Sequence, residues 1–383
     1  MNLDFSEDQH LLGDQLRRFL GDHCPAEAVR AIADGSKPYD RALYAGLADL
    51  GALGAAIPDR YGGAGLGQLE LCIVAQELGR ALAPAPVSSS IYLAANFLLL
   101  AGDEEQKMRL LPSLANGQTI GTLALVERAG AVYAGAIETV ARGERISGTK
   151  LTVPDGHAAD FAVVVARDAA HPGPDSCSLY LVDLEATGVV REPVQTIDPT
   201  RSYSRLTLEH APAEALGARG QAWTYIEQVY DRAAVLLAFE QVGGAERTLE
   251  MARDYALERI AFGRPIGSFQ ALKHMMADMY VAATLARSNA YYGAWALSTG
   301  DDELPVAAAT ARLSASQAFL ECAKNNIQVH GGMGFTWESP CHLYYRRANA
   351  LSLSLGPHVF WQDLLIERLR ARAAKSSTQE DRP

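Results

Sequence analysis

Apolar residues in the first third of the chain recur at helical spacing. Leu11, Leu12, Leu16, Phe19 and Leu20 mark one buried face, and Ser6 with Gln9 three residues on has the form of a capping box at its start. A shorter amphipathic run, Leu43–Leu53, predicts a second helix, and the glycine-rich stretch Ile57–Gly67 leads into a third, Glu70–Leu82, closed by Ala83-Pro84-Ala85-Pro86. Between residues 119 and 212 the period changes. Ile120–Val126, Ala136–Arg142, Phe161–Ala166, Leu179–Asp183 and Tyr203–Leu208 are short, β-rich and punctuated by Gly, Pro and Asp, which predicts a small β-sheet or barrel. His171-Pro172-Gly173-Pro174-Asp175 reads as a hairpin tip or an exposed excursion. Helical periodicity returns in Trp223–Met251, Met275–Leu297, Val306–Gln328 and His342–Leu369, the last interrupted at Gly356-Pro357. The polar tail Lys375–Pro383 predicts disorder. The expected fold is α+β and multidomain: a helical domain over 1–118, a small β domain over 119–212 and a helical bundle over 213–383.

Composition narrows the function. A net charge of −11 over 383 residues argues against a nucleic-acid surface, which needs a basic patch, but leaves room for a local arginine cluster that binds phosphate. The five cysteines (Cys24, Cys72, Cys177, Cys322, Cys341) are scattered and form no C-x-x-C pair, so neither a disulfide framework nor a metal site is expected. Reduced thiols fit a cytoplasmic setting. The opening MNLDFSEDQH lacks the pattern of a secretory signal, and the most apolar stretch, near Ile91–Leu100, is too short to span a bilayer.

Arg253–Gln270, RDYALERIAFGRPIGSFQ, is the most informative stretch. Its first half is helical in character. Phe262-Gly263-Arg264-Pro265 then stops the helix, because Pro265 disfavours α conformation at Arg264 and Gly263 tolerates unusual backbone angles. A new helix begins at Phe269-Gln270. Locally, two core helices joined by a tight turn account for this. The whole string, with Arg259, Phe262-Gly263, Pro265-Ile266 and Phe269-Gln270 at this spacing, resembles the C-terminal signature of the acyl-CoA dehydrogenase family of flavoproteins. "PDRYGGAGLG" and "AQELGRALAPAP" resemble the same family. The glycine loop is no P-loop, since no Gly-Lys-Ser/Thr follows. It reads either as a tight helix connection or, by resemblance, as part of the acyl-binding region. The order of helical domain, β domain and helical bundle is the family's, and the likeness covers nearly the entire chain.

The resemblance implies FAD bound between subunits of a homo- or hetero-tetramer, with no part for a membrane. It further implies an acyl-CoA thioester from fatty acid or steroid catabolism as substrate, and an electron-transferring flavoprotein as partner. It places Arg259 on the FAD pyrophosphate or adenosine of a neighbouring subunit, with Phe262 and Gln270 beside it. A guanidinium suits that task, because it offers a fork of donors and keeps its charge. A second motif, Gln328-Val329-His330-Gly331-Gly332-Met333-Gly334-Phe335, supplies Gln328 as hydrogen-bonding partner and Gly331 and Gly332 as a close backbone approach. No Rossmann fingerprint is present.

At the flavin-ring end the likeness thins. Where the family has a Thr-Glu-Pro-Gly-type loop followed by Ser, this chain has Val126-Glu127-Arg128-Ala129-Gly130-Ala131-Val132. Its Trp-Ile-Thr becomes Thr152-Val153-Pro154, with no indole to stack and no N–H at the proline. The family's catalytic glutamate falls on Leu355, before Gly356, or alternatively on Ala233, and Ala234 replaces a substrate-contacting arginine. No base is therefore assigned. Asp231 points away from Ala233 at about 100° per residue, and Glu240 lies about two turns or 11 Å along the helix, where pairing with an arginine is expected. His330 and His358 are further candidates, because histidine as a residue type can exchange a proton near neutral pH, but the former sits in a glycine turn. Three readings stand open: an enzyme with an unrecognised base, a partner subunit that completes the FAD interface for a base-bearing sibling, and, third, an oxygen-reactive oxidase or a flavin-independent activity on the same fold.

Overall fold

The computed structural model describes residues 5–128, 132–170, 173 and 176–380. Its helices are α1 (Glu7–His23), α2 (Ala26–Ala33), α3 (Arg41–Asp49), α4 (Gln68–Ala81), α5 (Asn96–Ala101), α6 (Glu104–Ala115), α7 (Ala222–Glu258), α8 (Gln270–Thr299), α9 (Leu304–His330), α10 (Cys341–Leu353) and α11 (His358–Glu380). Between α6 and α7 lie the strands β1 (Gly121–Ala124), β2 (Val140–Arg142), β3 (Arg145–Pro154), β4 (Phe161–Asp168), β5 (Cys177–Asp183), β6 (Val189–Pro193), β7 (Tyr203–Pro212) and β8 (Glu214–Leu216). The α+β class read from the pattern is the fold observed. No helix among the described residues is long and apolar enough to cross a membrane.

Two compact units result. One comprises Met1–Ala26, Cys72–Ala83 and Ala234–Pro383; the other comprises Glu27–Leu71 and Pro84–Ala233.

In the first unit, α1 opens on the expected capping box, with Gln9 N–H donating to Ser6 Oγ and Ser6 N–H to Gln9 Oε1. Alanines at positions 283, 286, 290 and 294 line the buried face of α8, and 307, 308, 311 and 315 that of α9, so the two backbones pack closely along their length. The approach of α4 to α7 is closer still. A Cβ built on Gly79 would lie 1.8 Å from the Glu240 carbonyl oxygen, and one on Gly243 would lie 1.9 Å from that of Gln76. Gln76 Nε2 donates to Glu246 (3.1 Å), Arg80 pairs with Glu250, and Arg17 pairs with Glu77 at 2.7 Å, so polar pairs flank the crossing. Gly243→Ala is therefore expected to destabilise the chain by about 1–3 kcal/mol, the range for overpacking, despite the better helix propensity of alanine. Gly21, with nothing within 4 Å of its Cβ position, is the control: Gly21→Ala should stabilise by about 0.5–1 kcal/mol. Thermal unfolding of the two variants compares them directly.

The second unit holds an eight-stranded sheet in the order β6-β7-β3-β2-β4-β5-β8, with β1 also paired to β4. β1 and β2 run parallel to opposite halves of β4, and the other pairings are antiparallel. β4 and β5 are buried almost throughout, as an unbroken apolar run such as Phe161–Ala166 requires. The glycine loop doubles back on itself: Ala64 N–H reaches Gly54 O, and Gly65 N–H reaches Ile57 O. Gly63 leaves no room for a side chain, its Cβ position being 2.0 Å from Ile57 O. The tight-connection reading of this loop therefore has a physical basis.

Several expectations need correction. Ala136–Arg142 is a strand only from Val140, because Ala134–Ala136 forms a 3₁₀ turn. β3, β6 and β8 carry no clean apolar alternation and went unpredicted; β3 is broken by register shifts at Ile146/Gly148 and Lys150/Val153. Ser88–Ala95 is a π-helix inside the apolar run ahead of α5. The last helix continues to Glu380, through most of the stretch expected to be disordered. All but Gly173 of the expected excursion at 171–175, and all of 129–131, lie outside the described residues.

Candidate cofactor site

Both C-terminal motifs lie in the first unit, and the structure brings them together. After Glu258 the chain forms a two-residue hairpin, Ile260–Ala261 against Arg264–Pro265, with Phe262 and Gly263 at its tip. Both tip residues have positive φ, 53° and 80°, the signature of a turn that matches strand twist. The expected helix stop is thus a hairpin, closed by Ile266 N–H on Arg259 O at 2.8 Å. It holds Phe262 at the surface, 95% exposed, with Phe269 edge-on at 6.1 Å and Arg264 over the Phe269 ring. Arg259 is exposed, and its guanidinium has no protein partner among the described residues. Gln270 opens α8, exposed and within 3.4 Å of His274 Nε2.

Gln328 is exposed near the end of α9. Gly331 follows with φ 59° and ψ −136°, a conformation open in practice to glycine alone. A Cβ on Gly331 or Gly332 would stand in empty space, whereas one on Gly334 would meet Ile327 O at 2.6 Å. The first two glycines thus leave a bare backbone facing outward, and the third is a packing glycine. His330 joins the two motifs. Its ring stacks on Tyr255, one turn before Arg259, with centroids 4.2 Å apart and planes 23° from parallel.

This surface fits the pyrophosphate and adenosine of a dinucleotide: an unpartnered guanidinium, an exposed amide and an open glycine backbone, all in one unit. The flavin-ring residues fit less well. In the second unit Glu127 is committed to structure. Its Oε1 lies 2.5 Å from Lys150 Nζ, and its carboxylate accepts the Glu138 and Thr139 amides at 2.5 and 3.1 Å. Thr152 sits at the bulge in β3 with φ 46°, exposed. Pro154 offers only its carbonyl, which accepts from Thr122 Oγ1.

The candidate bases are likewise occupied or displaced. Ala233 and Ala234 are fully buried. Glu240 lies 3.6 Å from Arg347 Nη1 with both side chains 1% exposed, the expected ion pair. Burial lowers the His330 pKa, and its Nδ1 lies 2.9 Å from Asn326 O. Leu355 adopts φ 59° at the break between α10 and α11. The buried Arg312 fixes that break by donating to the carbonyls of Leu351 and Ser354, and burial brings its own pKa down to about 10. Sequence reasoning missed Lys150, although its phase in β3, two and four residues from Gly148 and Ile146, marks an inward position.

Two family models match the chain. The model of the acyl-CoA dehydrogenase N-terminal domain matches residues 6–118, and that of the C-terminal domain matches 220–369. The chain is 35% identical over 344 residues to acyl-CoA dehydrogenase IpdE2 of Mycobacterium tuberculosis, covering 90% of this chain and 91% of that protein. Among solved structures it resembles a variant of the Tcur3481-Tcur3483 steroid ACAD, with TM-score 0.86, 31% identity and coverage of 96% and 99%. It also resembles a chain of the ChsE4-ChsE5 complex from Mycobacterium tuberculosis, with TM-score 0.85, 28% identity and full coverage of both. The chain belongs to the acyl-CoA dehydrogenase family, whose members depend on FAD.

Proposed function

We propose that this chain is one subunit of an FAD-dependent acyl-CoA dehydrogenase in which a second, related chain supplies the catalytic base. One observation carries this reading: the two positions where the family places its proton acceptor hold Ala233 and Leu355. Neither side chain takes a proton. Two similar structures, the ChsE4-ChsE5 complex and the Tcur3481-Tcur3483 steroid ACAD, are each named for two chains, which supports the same arrangement.

In this reading Arg259 holds the FAD pyrophosphate through its fork of donors, with Phe262 and Gln270 beside it. Gln328 hydrogen-bonds to the dinucleotide, while Gly331 and Gly332 admit its close approach. All six residues are exposed on this chain, which leaves room for a second chain to cover what they bind. FAD, when bound, supplies the hydride acceptor for α,β-dehydrogenation of an acyl-CoA thioester. The α-proton goes to the sibling's carboxylate, and an electron-transferring flavoprotein takes the electrons onward. The assembly is a tetramer of related chains acting in the cytoplasm, in fatty acid or steroid catabolism.

The test is the visible spectrum of the chain purified alone and then mixed anaerobically with acyl-CoA thioesters, with and without a base-bearing sibling. Flavin that bleaches only in the mixture is the expected result. Rapid bleaching by the chain alone would overturn the assignment of the base to a partner.

A further inference from the structure

We propose that the stacked pair Tyr255–His330 is a positioning device that holds the two cofactor-facing segments, the Arg259–Ile266 hairpin and the Gly331–Phe335 turn, in register. The inference rests on the FAD reading of that surface but concerns residues outside the six assigned to it. Tyr255 precedes Arg259 by one helical turn, and the Arg259 amide donates to Tyr255 O at 2.8 Å. Any shift of the Tyr255 backbone therefore carries the start of the hairpin with it. His330 is the last residue of α9 and sits against the glycine whose φ and ψ reverse the chain.

The imidazole is held on two sides. Its Nδ1 lies 2.9 Å from Asn326 O, one turn back on the same helix. A carbonyl only accepts, so Nδ1 carries a proton. The ring face lies against Tyr255 at 4.2 Å. Burial lowers the pKa of this imidazole, which favours its neutral form.

The turn is closed on itself by Thr336, whose N–H and Oγ1 both donate to Met333 O at 3.1 and 3.0 Å, but its middle residues face outward. Gly331 and Gly332 have nothing within 4 Å of their Cβ positions, Met333 and Phe335 are exposed, and only Gly334 packs inward, on Ile327 and His330. Register between a guanidinium on one segment and a bare backbone on the other then depends on the two rings. For a ligand that must be held at both places, loss of that register appears as lost affinity with the fold intact.

The experiment uses the full chain in the assembly in which it purifies, with two readouts on Tyr255→Leu, Tyr255→Phe and His330→Leu. The first is FAD affinity from quenching of flavin fluorescence. Y255L and H330L are expected to weaken it at least tenfold, while Y255F, which keeps the stack, stays within threefold of wild type. The second is amide hydrogen exchange in the apo protein. Y255L, although on α7, should speed exchange in 331–335 about tenfold, and Y255F should not. Unchanged exchange there in Y255L overturns the inference whether or not FAD binds. A wild-type chain that binds no FAD removes the cofactor reading but leaves the exchange result to decide the coupling. Equal loss of affinity in Y255F and Y255L would also overturn it, since the hydroxyl rather than the stack would then matter.

Discussion

Lys150→Met is expected to lower the unfolding free energy by about 3–5 kcal/mol, the cost of leaving one member of a buried ion pair alone. Lys150 is fully buried and Glu127 is 5% exposed. The ammonium donates to Glu127 Oε1 at 2.5 Å, to Val165 O at 2.6 Å and to Leu125 O at 3.3 Å. It thus ties the segment after β1 to β3 and β4 through one nitrogen. The carboxylate in turn receives the Glu138 and Thr139 amides. Methionine fills a similar volume but leaves Glu127 without its cation. Replacing both partners with apolar residues should recover much of the loss, because the desolvation of both charges disappears together.

The pH dependence has a definite sign. Burial opposes ionisation of Glu127, but Lys150 and the amide donors outweigh it and hold the carboxyl below its usual range. Its contribution is therefore present above the ordinary carboxylate range and is lost as pH falls through the lowered value. The gap between wild type and Glu127→Gln should narrow in that acid window. On the alkaline side burial brings Lys150 from its ordinary 10.5 to about 8, against the pull of Glu127. The unfolded chain then binds that proton more tightly than the folded one, so the contribution of Lys150 to stability, read as wild type against K150M, rises as pH passes from about 8 towards 10.5. Thermal unfolding across pH on wild type, K150M and E127Q checks all three statements. A K150M midpoint equal to that of wild type would mean that the pair contributes nothing.

How much of this was legible in the chain depends on whether the signal is local. The capping box of α1, the apolar faces of α7 to α9 and the Gly356-Pro357 interruption are set by neighbours in sequence, and they appear where the pattern puts them. β3 is different: ten residues long, it is held by pairing with β2 and β7 across two bulges, and no short window encodes those partners. The Glu127–Lys150 pair is also long-range, since its residues stand on different elements 23 positions apart. Phe262-Gly263 reads in sequence as a helix stop. Only the positive φ of both residues, with Ile266 returning to Arg259, turns the stop into a hairpin. The Tyr255–His330 stack joins two helix ends 75 positions apart (330 − 255), a distance that periodicity does not bridge. That neither family position for the base carries a proton acceptor was readable directly, because it depends only on which residue types stand at Ala233 and Leu355.

In an assembly reconstituted with a base-bearing sibling, replacing the sibling's glutamate by glutamine is expected to slow substrate-driven flavin reduction by about 10²–10⁴, the usual contribution of a positioned general base. In this chain Asp231→Asn and Glu240→Gln should change that rate less than tenfold. The geometry separates the two cases. Glu240 lies 3.6 Å from Arg347 in a fully buried pair, so its carboxylate faces that guanidinium. Arg347 also donates to Leu82 O at 3.3 Å, which makes the pair part of the packing of α10. Loss of Glu240 should therefore register mainly in the unfolding midpoint, and loss of a true base mainly in the rate. Asp231 is buried and precedes Ala233 by two positions on α7, so it projects about 200° away from the direction in which the family's base would point. The measurement is single-turnover flavin bleaching at saturating thioester, with the unfolding midpoint of each variant recorded beside it. A hundredfold loss of rate in D231N or E240Q with an unchanged midpoint would place the proton acceptor in this chain and overturn its role as the base-free subunit.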